Sequence, residues 1–144
     1  MKKSTITVVV LMLIALGLAI YFAISSKITS NIASEENRYY QQLLNKVITG
    51  TELSSVINKV IDSNKKNELS LDDQKLYIEN DNNSIVAVIK FKYADGAMNI
   101  RGEKIFNGEI HNFISHYGNI KFKCTKIEYH EATKKVKKIY IEEI

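Results

Sequence analysis

Residues 5–24 read TITVVVLMLIALGLAIYFAI, twenty residues without a charged side chain, between Met1-Lys2-Lys3 and Ser25-Ser26-Lys27. As an α-helix this stretch would be about 30 Å long, which is the thickness of the hydrocarbon core of a bilayer. A helix that is apolar on every face needs lipid or a large protein core around it, and a chain of 144 residues hardly provides such a core. The segment from Thr5 to Ile24 therefore predicts a single membrane-spanning helix whose partner is the lipid bilayer.

A cleaved secretory signal peptide is the alternative interpretation, because it begins with the same kind of basic residues. The apolar part of a signal peptide usually runs about 7–15 residues and ends at a small-x-small cleavage site. Here the apolar run is longer, Ala19 and Ala23 lie inside it, and no Cys follows directly for lipid modification. The length favours an uncleaved signal-anchor, and cleavage stays open.

The charges that flank the apolar segment indicate its orientation. Lys2, Lys3 and the amino terminus precede it, whereas Lys27 is soon followed by Glu35 and Glu36. An excess of Lys and Arg marks the cytoplasmic flank of a membrane helix. We therefore expect a cytoplasmic amino terminus and a carboxy-terminal domain outside the cytoplasm.

The composition indicates one folded domain after the predicted anchor. Apolar residues make up 45% and charged residues 25% of the chain, as in ordinary globular proteins. Cys124 is the single cysteine, so no internal disulfide supports the fold. Lys, Ile and Asn are abundant, a bias typical of an AT-rich bacterial genome, and Lys2 and Lys3 account for half of the net charge of +4. The global charge predicts no nucleic-acid partner.

Residues 25–48 contain neither Gly nor Pro, and their apolar residues recur at helical spacing. The pattern predicts an amphipathic stem helix that continues the membrane helix and packs its inner stripe on the domain. Thr49-Gly50-Thr51-Glu52 then fits a capping box, flanked by Ile48 and Leu53 as a hydrophobic staple. The sequence predicts a helix from Gly50 to about Ser63.

In most of the remaining sequence, apolar and polar residues alternate as they do in β-strands, and one interval has helical spacing instead. A first hairpin is predicted between residues 76–78 and 85–93 around Asn80-Asp81-Asn82-Asn83, followed by a turn at Asp95-Gly96 and a short strand over residues 98–101. Residues 103–117 predict a helix weakened at Gly108. Residues 120–131 and 136–142 predict a second hairpin, with a β-bulge at Cys124-Thr125 where the apolar alternation changes phase.

This order, α-α-β-β-(β)-α-β-β, predicts an α+β fold with an antiparallel sheet and two helices in the domain. The predicted organisation is a membrane anchor at 1–24, an amphipathic stem helix at 25–48 and an extracytoplasmic α+β domain at 49–144.

No residue pattern points to catalysis, a cofactor or a metal ion. His111 and His116 are five residues apart in sequence, which places them on different faces of a helix. Cys124 and His130 would lie roughly 20 Å apart on an unbroken strand, so we interpret Cys124 as a buried structural residue. The acidic residues Asp62, Glu68, Asp72 and Asp73 do not have the spacing of a calcium loop. We therefore expect a non-enzymatic protein.

The last predicted hairpin is rich in lysine, and it is the one candidate binding surface in the sequence. A patch that could meet an anionic partner comprises Lys121, Lys123, Lys134, Lys135, Lys137 and Lys138. Lysines on exposed strands also prevent edge-to-edge pairing of sheets, and this protective role is the preferred interpretation.

Two segments carry a resemblance to a known group of proteins: Thr49-Gly50-Thr51-Glu52-Leu53, continuing to Ile57-Asn58-Lys59, and residues 122–130, FKCTKIEYH. They resemble uncharacterised small, single-pass, membrane-anchored proteins of low-GC Gram-positive bacteria. The resemblance implies a place in the bacterial cell envelope and implies no chemistry.

An apolar amino-terminal helix that runs into an amphipathic half, followed by an antiparallel sheet, is also similar to the architecture of type IV pilins and of pilin-like proteins of secretion and Tad-type machines. The segment Gly50-Thr51-Glu52-Leu53 is similar to segments in Tad-associated pilin-like proteins. Pilins carry a Gly-Phe processing site and a Glu near the start of the mature helix. Here Gly17 is followed by Leu18, and the apolar segment holds no acid, so processing by a prepilin peptidase is not expected.

Three hypotheses about function follow. The first is a single-pass membrane protein that presents a small extracytoplasmic interaction or assembly domain to a protein partner of unknown identity, for which a further copy of itself is one candidate. The second is a pilin-like subunit of a secretion or pilus machine. The third is a binding domain for an anionic cell-envelope polymer, which would use the lysines of the last hairpin.

Overall fold

The computed structural model describes residues 2–93 and 96–144, with the side chains of residues 2–5, 29 and 32 left out of the description. Its elements are α1 (Lys2–Gln41), β1 (Val47–Thr49), α2 (Gly50–Lys66), β2 (Val86–Tyr93), β3 (Gly96–Arg101), α3 (Gly102–Asn107), α4 (Ile110–Tyr117), β4 (Lys121–Tyr129) and β5 (Val136–Glu143). The predicted turn at Asp95-Gly96 lies partly outside the described residues.

The α+β class and the long amino-terminal helix are confirmed. The five strands form one sheet in the order β1-β4-β5-β2-β3. All neighbouring pairs are antiparallel except β2 and β5, which run parallel in the middle of the sheet. The sheet is therefore mixed, which corrects the prediction of a wholly antiparallel sheet: the alternation of a strand shows which of its faces is buried but not which strand lies beside it.

The first predicted hairpin does not form. Residues 76–78 are not a strand, although an isolated bridge joins Leu71 to Tyr77. The Asn80 side chain instead organises a turn, since its Oδ1 accepts hydrogen bonds from the amides of Asn82 and Asn83, both at 2.9 Å. The hairpin partner of β2 is β3.

The second predicted hairpin is confirmed, and so is its bulge. Strands β4 and β5 pair antiparallel, with a register shift between Cys124 and Lys126 that leaves Thr125 as the extra residue. A second shift between Glu128 and Tyr129 leaves Lys137 as the extra residue of β5. Each bulge reverses the alternation of a strand, so that apolar side chains on both sides of it face the core.

Helix α2 begins as its capping box predicts and continues one turn beyond the predicted end, to Lys66. The Thr49 hydroxyl accepts from the Glu52 amide at 3.2 Å, and the Glu52 carboxylate accepts from the Thr49 amide at 2.8 Å. The predicted helix over residues 103–117 is divided into α3 and α4 at Gly108 and Glu109, where Glu109 adopts a φ of 67°.

Helices α2, α3 and α4 cover one face of the sheet. The core between them contains Leu53, Val56, Ile57, Val60 and Ile61 from α2, Ala87, Ile89 and Phe91 from β2, Phe122 and Cys124 from β4, and Ile139 and Ile141 from β5. The opposite face carries paired charges, including Lys90 with Glu142 at 3.4 Å and Lys126 with Glu128 at 2.6 Å. One buried and one charged face is the usual arrangement of a sheet that meets water on one side.

Candidate functional site

The apolar half of α1 stands free of the domain. Every large apolar side chain from Ile6 to Ile24 is between 47% and 68% exposed, and this part of α1 is long and apolar enough to cross a membrane. The helix remains unbroken from there to Gln41. Within the described residues, an apolar helix long enough to cross a membrane and the first contacts with the domain thus belong to one continuous element.

The contacts with the domain begin at Ala33, which is 2% exposed. Beyond it, the Tyr40 hydroxyl lies 3.3 Å from the Ser63 hydroxyl of α2, and Lys135 forms an ion pair with Glu36 at 2.8 Å. The predicted inner stripe is confirmed at Tyr40 and Leu43, whereas Ile28 is 54% exposed. The helix ends at Gln41, so that the last residues of the predicted stem form a turn and strand β1.

Two buried asparagines hold the starts of the two parallel strands. The Asn37 side chain donates to the Lys134 carbonyl at 2.7 Å and accepts from the Val136 amide at 2.8 Å. The Asn64 side chain donates to the Ile85 carbonyl at 2.8 Å and accepts from its amide at 2.9 Å. A buried backbone group needs a hydrogen-bond partner. The two asparagine side chains supply partners for the backbone groups at the strand starts, where no neighbouring strand among the described residues does so. Sequence reasoning did not single out either residue, since a polar residue among other polar residues of a helix, as Asn37 is in α1 and Asn64 at the end of α2, gives no sign of burial.

The order of the contacts along α1 shows in which direction each strand runs relative to this helix. Along α1, Asn37 meets the tip of the β4-β5 hairpin, Gln41 reaches the Tyr129 hydroxyl at 3.4 Å, and Leu44 forms a bridge with Cys124 farther on. Strand β4 therefore runs toward the apolar half of α1, strands β5 and β2 run away from it, and strand β3 runs back toward it. Asn37 lies 13 residues beyond Ile24, or about 20 Å along the helix.

The six predicted lysines are spread over the hairpin. Lys135, Lys137 and Lys138 pair with Glu36, Asp81 and Glu79, respectively, at 2.8, 3.9 and 3.0 Å. In the described part of the chain no carboxylate lies within ion-pair distance of the other three. Of these, Lys121 begins β4 at the end far from the apolar helix, Lys134 lies in the near turn, and Lys123 lies between them. The structure thus brings the six side chains to three separate levels and neutralises half of their charges.

The remaining candidates have ordinary surroundings. His111 and His116 are both exposed, and the described residues contain no group of three metal-ligating side chains. Cys124 is fully buried, and this burial raises the pKa of its thiol. No hydrogen bond joins it to His130, whose Nε2 lies 2.8 Å from the Ser84 carbonyl oxygen. His130 is also buried, and its Nδ1 has no hydrogen-bond partner among the described residues.

Comparison with protein-family models, with curated proteins and with solved structures found no match to the chain. The candidate site is consequently described by its geometry: an apolar helix free of the domain, continuous with a stem that is docked by buried polar contacts.

Proposed function

We propose that the chain is a bitopic, non-enzymatic protein that holds a small α+β domain at a set height outside the cytoplasm, as an interaction or assembly component of the cell envelope. The observation that carries the proposal is the continuity of α1 between its exposed apolar part and the docked stem. A flexible tether would let the domain tumble, whereas a helix fixed by Asn37 and Tyr40 ties the position of the domain to that of the anchor.

Protease treatment of intact cells tests the sidedness. With an epitope tag at the carboxyl terminus, external protease is expected to remove the tag signal without lysis, while a cytoplasmic control protein stays intact. Protection of the tag until lysis would reverse the topology. Mass spectrometry of the purified chain tests retention of the anchor, and loss of residues 1–24 or more from the mature chain would contradict the signal-anchor.

The pilin-like alternative is favoured by the same exposed apolar side chains, because helices that are apolar on every face can also bundle with copies of themselves. A cysteine introduced at the exposed Ser26 is suited to the test, since Cys124 is buried and does not compete. Oxidative crosslinking of the Ser26→Cys chain in membranes is expected to give only monomer under the leading proposal. Higher products that persist at low expression would support assembly through the helix. A disulfide-linked dimer that disappears on dilution would indicate random collision.

A further inference from the structure

An apolar groove of about 680 Å³ runs beside strand β3. Its floor is aromatic: the Phe91 and Tyr117 rings meet edge to face at 5.1 Å, and the Phe113 and Tyr117 rings stack at 5.3 Å. Met98 and Ile105 are among the aliphatic residues that line it. Its volume lies within the range of about 300–1,000 Å³ that is typical of ligand pockets, which are also mostly apolar with few polar groups.

The edge strand beside the groove lacks the usual protection. Strand β3, GAMNIR, is the last strand of the sheet, and no described segment pairs with its outer side. Its six residues pair with β2 without a bulge, and its first four are exposed. Natural edge strands are usually kept short or carry Lys, Pro or bulges, and β1 at the other edge has only three residues. An unprotected edge beside alternate side-chain pockets is the arrangement that binds an added strand.

The charge of the groove is positive. Of the described residues, its lining includes Arg101 and Lys104 but no carboxylate. Arg101 is neutralised by Glu103 at 2.6 Å and Glu79 at 3.6 Å, whereas Lys104 is exposed and has no ion pair among the described residues. A carboxylate on the ligand would therefore find an unpaired cation at the rim.

A second copy of the chain in the same membrane fits this edge poorly. Two copies in one bilayer are related by a two-fold axis along the membrane normal, and β3 runs back toward the apolar helix. Such an axis places two β3 strands parallel, with equivalent backbone groups facing each other, so that donors meet donors and acceptors meet acceptors. Antiparallel pairing of the two edges would require one domain to be inverted relative to its own anchor.

We propose that β3 and the adjoining groove bind an extended segment of a partner protein, which adds a strand to the sheet, places alternate apolar side chains in the groove and offers a carboxylate to Lys104. The inference rests on the proposed function where it excludes a second copy, because that step uses the uncleaved anchor. Peptide binding is measured on the purified chain, whereas sidedness is measured on cells and anchor retention by mass spectrometry. Failure of the strand-binding proposal can therefore be distinguished from failure of the proposed function.

The probe is a fluorescent octapeptide of alternating Val and Thr in which the first and the last Val are replaced by Glu, so that the carboxylates lie on the same face of the strand as the remaining Val side chains. Its counterpart has Lys in place of the two Glu residues. Binding to the full chain in phospholipid nanodiscs is followed by fluorescence anisotropy. The acidic peptide is expected to bind saturably and at least about tenfold more tightly than the basic one. Lys104→Glu is expected to remove this preference, and N-methylation of alternate peptide amides is expected to abolish binding, because it removes the strand donors.

Met98→Asp tests the location, with Val47→Asp as its matched control. The two side chains are 45% and 46% exposed and lie on opposite edge strands of the sheet. Met98→Asp is expected to lower the affinity for the acidic peptide at least about tenfold, and Val47→Asp is expected to lower it less than about twofold. Circular dichroism checks that both variants fold, and Lys104→Glu provides a second readout from the surface. No saturable binding, equal binding of both peptides, or equal effects of the two Asp variants would overturn the proposal. So would self-association of the chain that Met98→Asp abolishes.

Discussion

Asn37 in the stem helix accepts a hydrogen bond of 2.8 Å from the amide of Val136, the first residue of the last strand and 99 residues away in sequence. The same side chain donates to the carbonyl of Lys134 at 2.7 Å. One amide group thus joins the helix that contains the long apolar segment to the central part of the sheet. This pair of bonds explains why the stem is part of the domain and does not act as a tether.

Replacing Asn37 by Leu should destabilise the domain. It removes both hydrogen bonds and leaves the Val136 amide buried without a partner, which costs about 1–3 kcal/mol. Urea unfolding of the full chain in detergent micelles, followed by tyrosine fluorescence, measures the loss. Asn58→Leu, at an exposed position of α2, is the control and should change the free energy of unfolding by less than about 0.5 kcal/mol. Equal effects of the two variants would show that the Asn37 bonds contribute nothing specific.

Tyr40 should make the docking of the stem sensitive to alkali. Burial raises the pKa of its hydroxyl from 10.0 to about 12. Between these values the unfolded chain loses the proton and the folded chain keeps it, so stability present below about pH 10 is lost as the pH rises toward 12. This loss is on the order of 2–3 kcal/mol.

Tyr40→Phe tests this dependence. At pH 8 the variant should be less stable by about 1 kcal/mol, because it loses the bond to Ser63. Its stability should then fall less steeply than that of the wild-type chain above pH 10. Some slope will remain, because burial also raises the pKa of Tyr39, Tyr77 and Tyr117. Chemical unfolding at a series of pH values provides the measurement, with Tyr129→Phe as the control at a more exposed position. An unchanged slope in Tyr40→Phe would contradict the assignment.

Gly50→Ala should weaken the start of α2. A Cβ atom at this position would overlap the carbonyl group of Tyr117, which packs directly against the first turn of the helix. The same turn is held by bonds from the Gly50 and Thr51 amides to Ile120 and Gly118, at 2.9 and 3.2 Å. Relieving the overlap would disturb these bonds, and we expect a cost of about 3 kcal/mol in thermal or urea unfolding.

Gly17→Ala is the comparison for Gly50→Ala. Apart from its chain neighbours and the adjoining backbone of its own helix, no described residue lies within 4 Å of a Cβ atom at position 17, so this substitution should leave the unfolding of the domain unchanged. A Gly50→Ala variant as stable as wild type would mean that α2 and the Tyr117 segment can separate without loss.

Cys124 should resist alkylation while the domain is folded. Its side chain is fully buried, and the raised pKa of the thiol lowers the thiolate fraction at neutral pH. Maleimide should label it at least about 100-fold more slowly than a cysteine introduced at Ser26. Both thiols should react at similar rates in urea, which controls for the reagent. Rapid labelling of Cys124 in the folded chain would show that β4 opens readily.

Features that depend on neighbouring residues in the chain were predictable. The capping box at Thr49 joins groups three residues apart, and the bulge at Thr125 appears as a change of phase within one strand. The break at Gly108 follows from its low helix propensity, and the β4-β5 hairpin needs only two adjacent alternating segments.

Long-range pairing was not predictable in the same way. Residues 76–78 have the composition of a strand, yet the edge beside β2 is taken by β3, which follows it after a short connection. The parallel pairing of β2 with β5 joins segments about 50 residues apart, and no local pattern distinguishes it from an antiparallel alternative. The lysines of the last hairpin likewise look like one patch in the sequence, whereas their carboxylate partners come from α1 and from residues 79–81.

Three properties could be predicted from the residues alone: one apolar helix of membrane-spanning length, an α+β domain behind it, and the ends of several elements. These properties depend on composition, periodicity and contacts within a few residues. Three other features became visible only in the folded chain: the mixed order of the sheet, the burial of Asn37 and Asn64, and the free edge of β3 beside an aromatic groove. They depend on which distant backbone groups meet, and a polar side chain reveals that role only when its partners are in place.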